Sequence, residues 1–148
     1  MVEELILKLF IEDNKAFTKF YKYVKLNYIK NNYTNLYKLF LVVNKYYTKY
    51  NKDNITKEEL LTEYNVNYYL EDSERDEIES LIDRVISKTI DNEDSLIELL
   101  NEHKRRALAG DIAKLALDVE EGTAKTSELI DKFSDFEHQD IQEDTAEA

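Results

Sequence analysis

The sequence contains no cysteine and no proline, and it has only two glycines among its 148 residues. Without cysteine, the chain cannot form a disulfide, a thiolate zinc site or a cysteine nucleophile, and a reducing cytoplasm suits it. Because glycine and proline supply most tight turns, their scarcity argues against a protein built from β-hairpins. These absences predict a mostly helical chain.

The length and the N-terminal segment point to one soluble domain. A chain of 148 residues is long enough to bury a core but short for two independent ones. The opening apolar run is interrupted by Glu3, Glu4 and Lys8, so it matches neither a signal peptide nor a membrane span. We therefore expect a cytoplasmic protein with no membrane contact.

Charge is distributed unevenly along the chain. The net charge is -12, yet residues 1–60 carry 11 lysines against 7 acidic residues, or +4, which leaves -16 for the remainder. The first half is thus basic and the second half strongly acidic. A basic first half permits a contact with an acidic partner or a phosphate backbone, but the net negative charge opposes it.

Apolar residues at helical spacing predict helices through the first half of the chain. Asn27–Ile29 is predicted to join the second of these helices to the third. The predicted elements are a helix over Val2–Phe10, a helix capped by Asp13 or Asn14 that runs to about Leu26, a longer helix capped by Thr34, and a short helix that follows a capping box of Thr56 and Glu59 and ends near Tyr64.

The second half predicts a helix and then a helical hairpin. Ser73 is expected to start a helix, and the acidic segment Asp91–Asp94 is expected to start a long helix that ends near Glu120. Gly122 suits the left-handed position after a helix end, and Thr126 is expected to cap the returning helix. The side chains predicted to face inward from the first of these helices are Ile78, Leu81, Ile82, Val85 and Ile86.

These elements predict an all-α fold, namely a compact bundle of about four to five short helices followed by a two-helix hairpin and an acidic tail. We expect residues 1–136 to form one helical domain, with residues 91–136 as the hairpin. Residues 137–148 are acidic and nearly free of apolar side chains, which is typical of a solvated tail or a truncated linker.

No pattern in the sequence predicts catalysis, a cofactor or a metal. Both glycine-rich phosphate loops are absent. His103 and His138 lie thirty-five positions apart, without a second imidazole at helical spacing. Asp91–Glu102 has acids at calcium-loop positions, but Leu96 stands where that loop needs glycine. We therefore expect no enzyme activity, no cofactor and no metal site.

Two charged clusters have both a structural and a functional interpretation. The acidic run from Glu71 to Glu77 is typical of a solvated helix start that complements the helix dipole. The segment "HKRR" contains Lys104, Arg105 and Arg106 in the middle of the long predicted helix. These basic residues either pair with nearby acids or contact a partner or a phosphate backbone.

The stretch from Phe20 to Phe40 alternates aromatic rings with lysines. Proteins that bind single strands combine stacking rings with such lysines, and here Lys22, Lys25 and Lys30 would contact the phosphates. Most of the rings, however, fall on helical apolar stripes, and a buried ring cannot stack on a base. We therefore expect a helical core with a solvated lysine face, and at most a weak or indirect contact with nucleic acid.

The order of elements resembles a known family. The segments "MVEELILKLFIEDNKAF", "YKYVKLNYI", "LYKLFLVVNKYY", "ITKEELLTEY" and "LLNEHKRRALAGDIAKLALDVEEGTAKTSELIDKF" are similar to the N-terminal domain of DnaB-like replicative DNA helicases, most of all those of T-even-type phages. The similarity covers about residues 1–136. It lies in helix lengths and apolar positions, and the first half is richer in tyrosine than is typical of the family.

The resemblance implies a non-catalytic domain that assembles on a helicase motor ring in the host cytoplasm and helps recruit primase or a helicase loader. It also implies a homo-oligomer, either a dimer or a higher ring, formed through the helical hairpin. The motor domain with its nucleotide site would follow the linker. The hairpin positions that match the family's pairing surface are Leu108, Ile112, Leu115, Ala116, Leu129, Ile130 and Phe133.

Two other functions stay open on the sequence. One is a small regulatory or loader-like phage protein that binds a host replication factor through its basic first half. The other is direct binding of single-stranded nucleic acid, which would weaken steeply with added salt.

Overall fold

The computed structural model describes residues 1–90 and 95–138. Within these residues the chain forms eight α-helices and one short 3-10 turn, with no β-strand, so the predicted all-α class is confirmed. The helices are α1 (Val2–Glu12), α2 (Asn14–Phe20), α3 (Leu26–Asn32), α4 (Thr34–Lys49), α5 (Lys57–Asn67), α6 (Asp72–Ser87), α7 (Leu96–Glu121) and α8 (Thr126–His138), and the 3-10 turn is Tyr21–Tyr23.

Helix α1 lies at the centre of a compact body. It packs against α2, α4, α6 and α7, while α5 bridges α4 and α6. The ring of Phe10, at the heart of this packing, meets Phe17, Tyr21 and Phe40 edge to face at centroid distances of 5.5 to 6.4 Å. Such aromatic contacts add to the stabilisation that burial of apolar area provides.

Polar caps define several helix ends as the sequence predicts. The Asp13 carboxylate accepts a hydrogen bond from the backbone N–H of Lys15 at the start of α2. Thr56 and Glu59 form a complete capping box at the start of α5, in which each side chain accepts from the other residue's backbone N–H. These caps satisfy backbone groups that a helix end would leave without partners.

Six helices precede the hairpin where the sequence predicts four or five, because the predicted second helix is broken. It ends at Phe20, and after the 3-10 turn the chain becomes extended at Val24, which is buried in the core. The join therefore lies at Val24–Lys25, and the predicted join at Asn27–Ile29 is wrong because those residues belong to α3. The backbone N–H of Lys25 donates to the His103 ring at this break, which compensates for the interrupted helix.

Smaller differences concern helix ends and one side chain. Thr34 is the first residue of α4 and Tyr33 precedes it without a side-chain cap, so the predicted cap at Thr34 is wrong. Ile86, predicted to face inward, is exposed at the end of α6. The predicted helix start at Asp91–Asp94 lies outside the described residues, as does most of the predicted acidic tail.

The long helix α7 belongs to two environments. Its N-terminal half carries the buried residues Leu99, Leu100, His103 and Ala107 and packs on the body. Its C-terminal half packs against α8, and the side chains between the two helices are at most half-buried. Together the two helices form the predicted hairpin. We call residues 108–135 the arm, and residues 1–90 and 95–107 the body.

Candidate functional site

The tip of the arm is a helix-ending turn of defined geometry. Gly122 adopts the left-handed conformation with a φ of 82° that the sequence predicts. Its backbone N–H donates to the carbonyl of Val119, and the N–H of Thr123 donates to that of Asp118. This pair of hydrogen bonds is the Schellman motif, which reverses the chain and starts α8 close to α7.

Apolar side chains remain exposed along the arm. The exposed fractions are 58% for Leu117, 63% for Ile130 and 53% for Phe133, whereas no residue of the arm is fully buried. Neighbouring exposed apolar groups mark a protein interaction surface more often than isolated ones do, and Ile130 and Phe133 are neighbours at a spacing of three positions on α8. The arm is therefore the candidate site for contact with another chain.

The structure distributes the predicted self-association residues between two degrees of exposure. Ile130, Phe133 and Ala116 are exposed. The others are half-buried, because α7 and α8 pack against each other. Sequence reasoning missed Leu117, which lies off the apolar stripe predicted for α7, so helical spacing gave no signal for it. The half-buried set is Leu108, Ile112, Leu115 and Leu129.

A buried polar pair fixes α7 to the rest of the body just before the arm begins. His103 and Glu3 are both fully buried, and the Nδ1 atom of His103 lies 2.9 Å from Oε2 of Glu3. The backbone N–H of Lys25 donates to Nε2 of the same ring at 2.9 Å. Since Nε2 accepts, Nδ1 carries the ring hydrogen and donates it to the carboxylate. One imidazole thus connects α1, α7 and the break before α3.

The surroundings of Glu3 favour its charged form. Burial by itself would raise the pKa of this carboxyl group. The hydrogen bond from His103, a backbone hydrogen bond and the charge of Arg106 together outweigh burial and hold the pKa below its usual value. The second carboxylate oxygen has no hydrogen-bond partner among the described residues. The buried charge of Glu3 is therefore stabilised mainly by its hydrogen bond with His103.

A cleft of about 490 Å³ lies beside this pair, between the start of α3 and the two helices of the arm. The structure brings Lys25 and Lys104, two of the predicted contact residues, to this cleft together with Lys132. The carboxylates of Asp111 and Asp135 also line it. The cleft therefore has mixed charge and no strong preference for an anion.

The other predicted contact residues lie elsewhere. Lys22 and Lys30 are exposed, and their ammonium groups lie 5.2 and 5.8 Å from the ring centroids of Tyr23 and Tyr37. Arg105 is exposed, and Arg106 pairs with Glu102 at 3.0 Å, one of the pairings weighed from the sequence. The predicted basic residues thus do not converge on one surface.

The aromatic stretch supplies core rather than stacking platforms. Phe40 is fully buried, and the partly buried rings that pack on the core are Phe20, Tyr21, Tyr23, Tyr28, Tyr33 and Tyr37. Within the described part of the chain, no three His, Cys, Asp or Glu side chains gather as metal ligands would. None of the described helices has the length and hydropathy needed to cross a membrane.

Comparisons of the chain with protein-family models, with curated proteins and with solved structures found no match. Any proposal about function therefore rests on the geometry of the chain and on the resemblance of its sequence.

Proposed function

We propose that the chain is a non-catalytic assembly and protein-interaction domain of a DnaB-like phage replicative helicase. It self-associates through the arm and helps to recruit primase or a helicase loader. The observation that carries this proposal is the exposure of Ile130 and Phe133, three positions apart on α8, together with that of Leu117 on α7. The resemblance of the sequence supplies the helicase, the primase and the loader.

Physical reasoning favours a second copy of the chain on this surface. A two-helix arm has little core of its own, and the half-buried side chains between α7 and α8 leave the outer apolar groups in water. Pairing of two arms would remove these groups from water and would repeat the contact in each partner, as two-fold interfaces do. The body, by contrast, has an apolar cluster of its own, with 24 buried residues.

Light scattering on the purified chain tests the proposal. The wild-type chain is expected to associate at micromolar concentration, and Phe133→Asp and Ile130→Asp are expected to make it monomeric. The matched control is Val66→Asp, which places the same charge on an apolar residue of α5 that is 68% exposed. If the wild-type chain is monomeric, or if the control dissociates it equally, the arm is not a self-association surface.

A second candidate function is a regulatory or loader-like protein with weak affinity for single-stranded nucleic acid. Its affinity for nucleic acid would be weak, because Lys25, Lys104 and Lys132 share one cleft with Asp111 and Asp135. This function requires a stable complex with a different protein, or nucleic-acid binding that weakens with salt and with removal of Lys22, Lys25 and Lys30. Absence of both would eliminate it.

A further inference from the structure

A small polar pocket lies where α4, α5 and α6 meet. Its volume is about 240 Å³, and Tyr64 of α5 forms part of its wall. Tyr64 is 1% exposed, and its hydroxyl has no hydrogen-bond partner among the described residues. A buried hydroxyl without a partner is costly, so native proteins rarely keep one unless something else binds it. Tyr64 therefore points to a ligand in this pocket.

The pocket is acidic. Glu74 and Glu77 of α6 line it, and neither lies within ion-pairing distance of a basic group in the described chain. The one basic side chain in the lining is Lys38, whose ammonium group lies 5.3 Å from the centroid of the Tyr68 ring. Two carboxylates against one ammonium leave an excess of negative charge around the Tyr64 hydroxyl.

The pocket adjoins a larger groove of about 530 Å³ between α4 and α6, since both are lined by Asn35 and Glu77. Asp76 adds a further carboxylate to this groove, while Leu36 and Leu81 contribute apolar surface. Arg84 and the N-terminal Met1 also line the groove, but Arg84 pairs with Glu4 at 2.7 Å. An extended peptide would therefore meet apolar surface and the carboxylates of Asp76 and Glu77, which have no ion pair within the described part of the chain. The helix dipole of α6 accounts for the acids in its first turn. It accounts neither for Asp76 and Glu77 in the next turn nor for the Tyr64 hydroxyl without a partner.

We propose that this groove binds a basic peptide segment of another protein and that one arginine side chain of the peptide enters the pocket at Tyr64. A guanidinium group carries five N–H donors in a planar fork. It can donate to the carboxylates of Glu74 and Glu77 and to the phenolic oxygen of Tyr64 at the same time. The site lies on the body, and it does not depend on self-association through the arm.

Fluorescence anisotropy with a labelled peptide of alternating arginine and serine tests this proposal. Tyr64→Phe keeps the ring and removes only the hydroxyl, and it is expected to weaken binding about fivefold. Glu74→Gln combined with Glu77→Gln is expected to weaken binding more than about tenfold. The matched control is Glu120→Gln with Glu121→Gln, an equal change of charge on exposed residues of α7, which should change binding less than about twofold.

Folding and self-association are measured on the same variants. Tyr64→Phe is expected to unfold at the same or a higher temperature, because it removes a buried hydroxyl without a partner. Phe133→Asp is expected to bind the peptide as the wild type does, so a failure of arm pairing leaves this result interpretable.

Three results would overturn the proposal. If the Glu120 and Glu121 control variant weakens peptide binding as much as the Glu74 and Glu77 variant does, the peptide is attracted to acidic residues in general. If Tyr64→Phe binds the peptide as tightly as the wild type, the hydroxyl does not contact it. If the peptide does not bind while the Glu74 and Glu77 variant alters self-association, the groove contacts a second copy of the chain and not a basic partner.

Discussion

The body and the arm use apolar residues in opposite ways. The body buries 24 apolar residues in one cluster that extends from Val2 to Leu100. The arm buries none fully, although its sequence has apolar residues at helical spacing as well. Helix α7 passes from one region to the other just after Ala107. An apolar stripe therefore identifies a surface that needs covering, and it does not tell whether the same chain or another chain covers it.

The largest expected contrast comes from one substitution made in both regions. Phe40→Ala in the body should reduce the free energy of unfolding by about 3–5 kcal/mol, because it removes a fully buried ring in contact with Phe10. Phe133→Ala in the arm should change it by less than about 0.5 kcal/mol at concentrations where the chain is monomeric. Urea unfolding followed by circular dichroism measures both.

Equal losses for the two variants would contradict the division into body and arm. A large loss for Phe133→Ala only at high protein concentration would instead locate its burial in the associated state, since association stabilises the folded chain by mass action.

The buried pair of His103 and Glu3, which we call the joint because it holds α7 just before the arm begins, gives the next largest effect. His103→Leu should reduce the free energy of unfolding by about 3 kcal/mol, because it leaves the buried Glu3 carboxylate and the Lys25 N–H without their partner. Adding Glu3→Leu should recover part of the loss, since the buried charge is then gone. A double-mutant cycle with both single variants measures the coupling. Strictly additive losses would show that the two side chains do not interact.

Acid should weaken the joint. The folded-state pKa of Glu3 is depressed, since the interactions with His103 and Arg106 outweigh burial, which acts in the opposite direction. A depressed carboxyl pKa contributes stability above its unfolded value of 4.5, and this contribution is lost as the pH falls through the folded value. Melting temperatures between about pH 7 and pH 3 should therefore fall more steeply for the wild type than for Glu3→Gln. Parallel curves would assign acid sensitivity to other groups.

Alkali should reveal buried tyrosines of the body. Burial, assisted by Glu59, raises the pKa of Tyr46 to about 12, and burial with the charges of Tyr68 and Glu74 does the same for Tyr64. A raised pKa contributes stability below the unfolded value of 10.0, and that stability is lost as the pH rises through the folded value. Absorbance titration should therefore show exposed tyrosines ionising first and the buried ones ionising together with unfolding. A single phase near pH 10 would contradict their burial.

Much of the fold could be predicted because its signals are local. The capping box at Thr56, the left-handed Gly122 and the spacing of α7 each depend on residues within a few positions of one another. The break at Val24–Lys25 could not be predicted, because the backbone N–H of Lys25 donates to His103, 78 positions away. Local spacing continued the helix, and a distant contact ended it.

The same reason limits what the sequence predicts about the site. His103 stands in a basic cluster, and only the fold shows that its partner is Glu3, 100 positions away. The Tyr64 pocket likewise joins three helices, and the sequence showed only the acidic run on α6. Ile130 and Phe133 are exposed because α8 packs mainly against α7, and one helix cannot cover all the apolar side chains of another. Spacing alone could not separate them from the half-buried Leu129.

The smallest effects come from the two glycines, which both lie in the arm. Gly110 is in the middle of α7, and a Cβ added there would meet the Tyr28 ring at an ordinary distance of 3.8 Å. Gly110→Ala should therefore raise the free energy of unfolding by about 0.5–1 kcal/mol through helix propensity and a stiffer unfolded chain. Gly122→Ala should lower it by about 1 kcal/mol, because a side chain disfavours the left-handed backbone although nothing lies near it.

The two substitutions add the same methyl group, so their opposite signs separate backbone strain from space. Unfolding in urea resolves differences of this size when both variants are compared directly with the wild type. If Gly110→Ala were also destabilising, the middle of α7 would pack more tightly against Tyr28 than the 3.8 Å distance implies. If Gly122→Ala had no effect, the Schellman turn would not limit stability, and the arm would open without affecting the body.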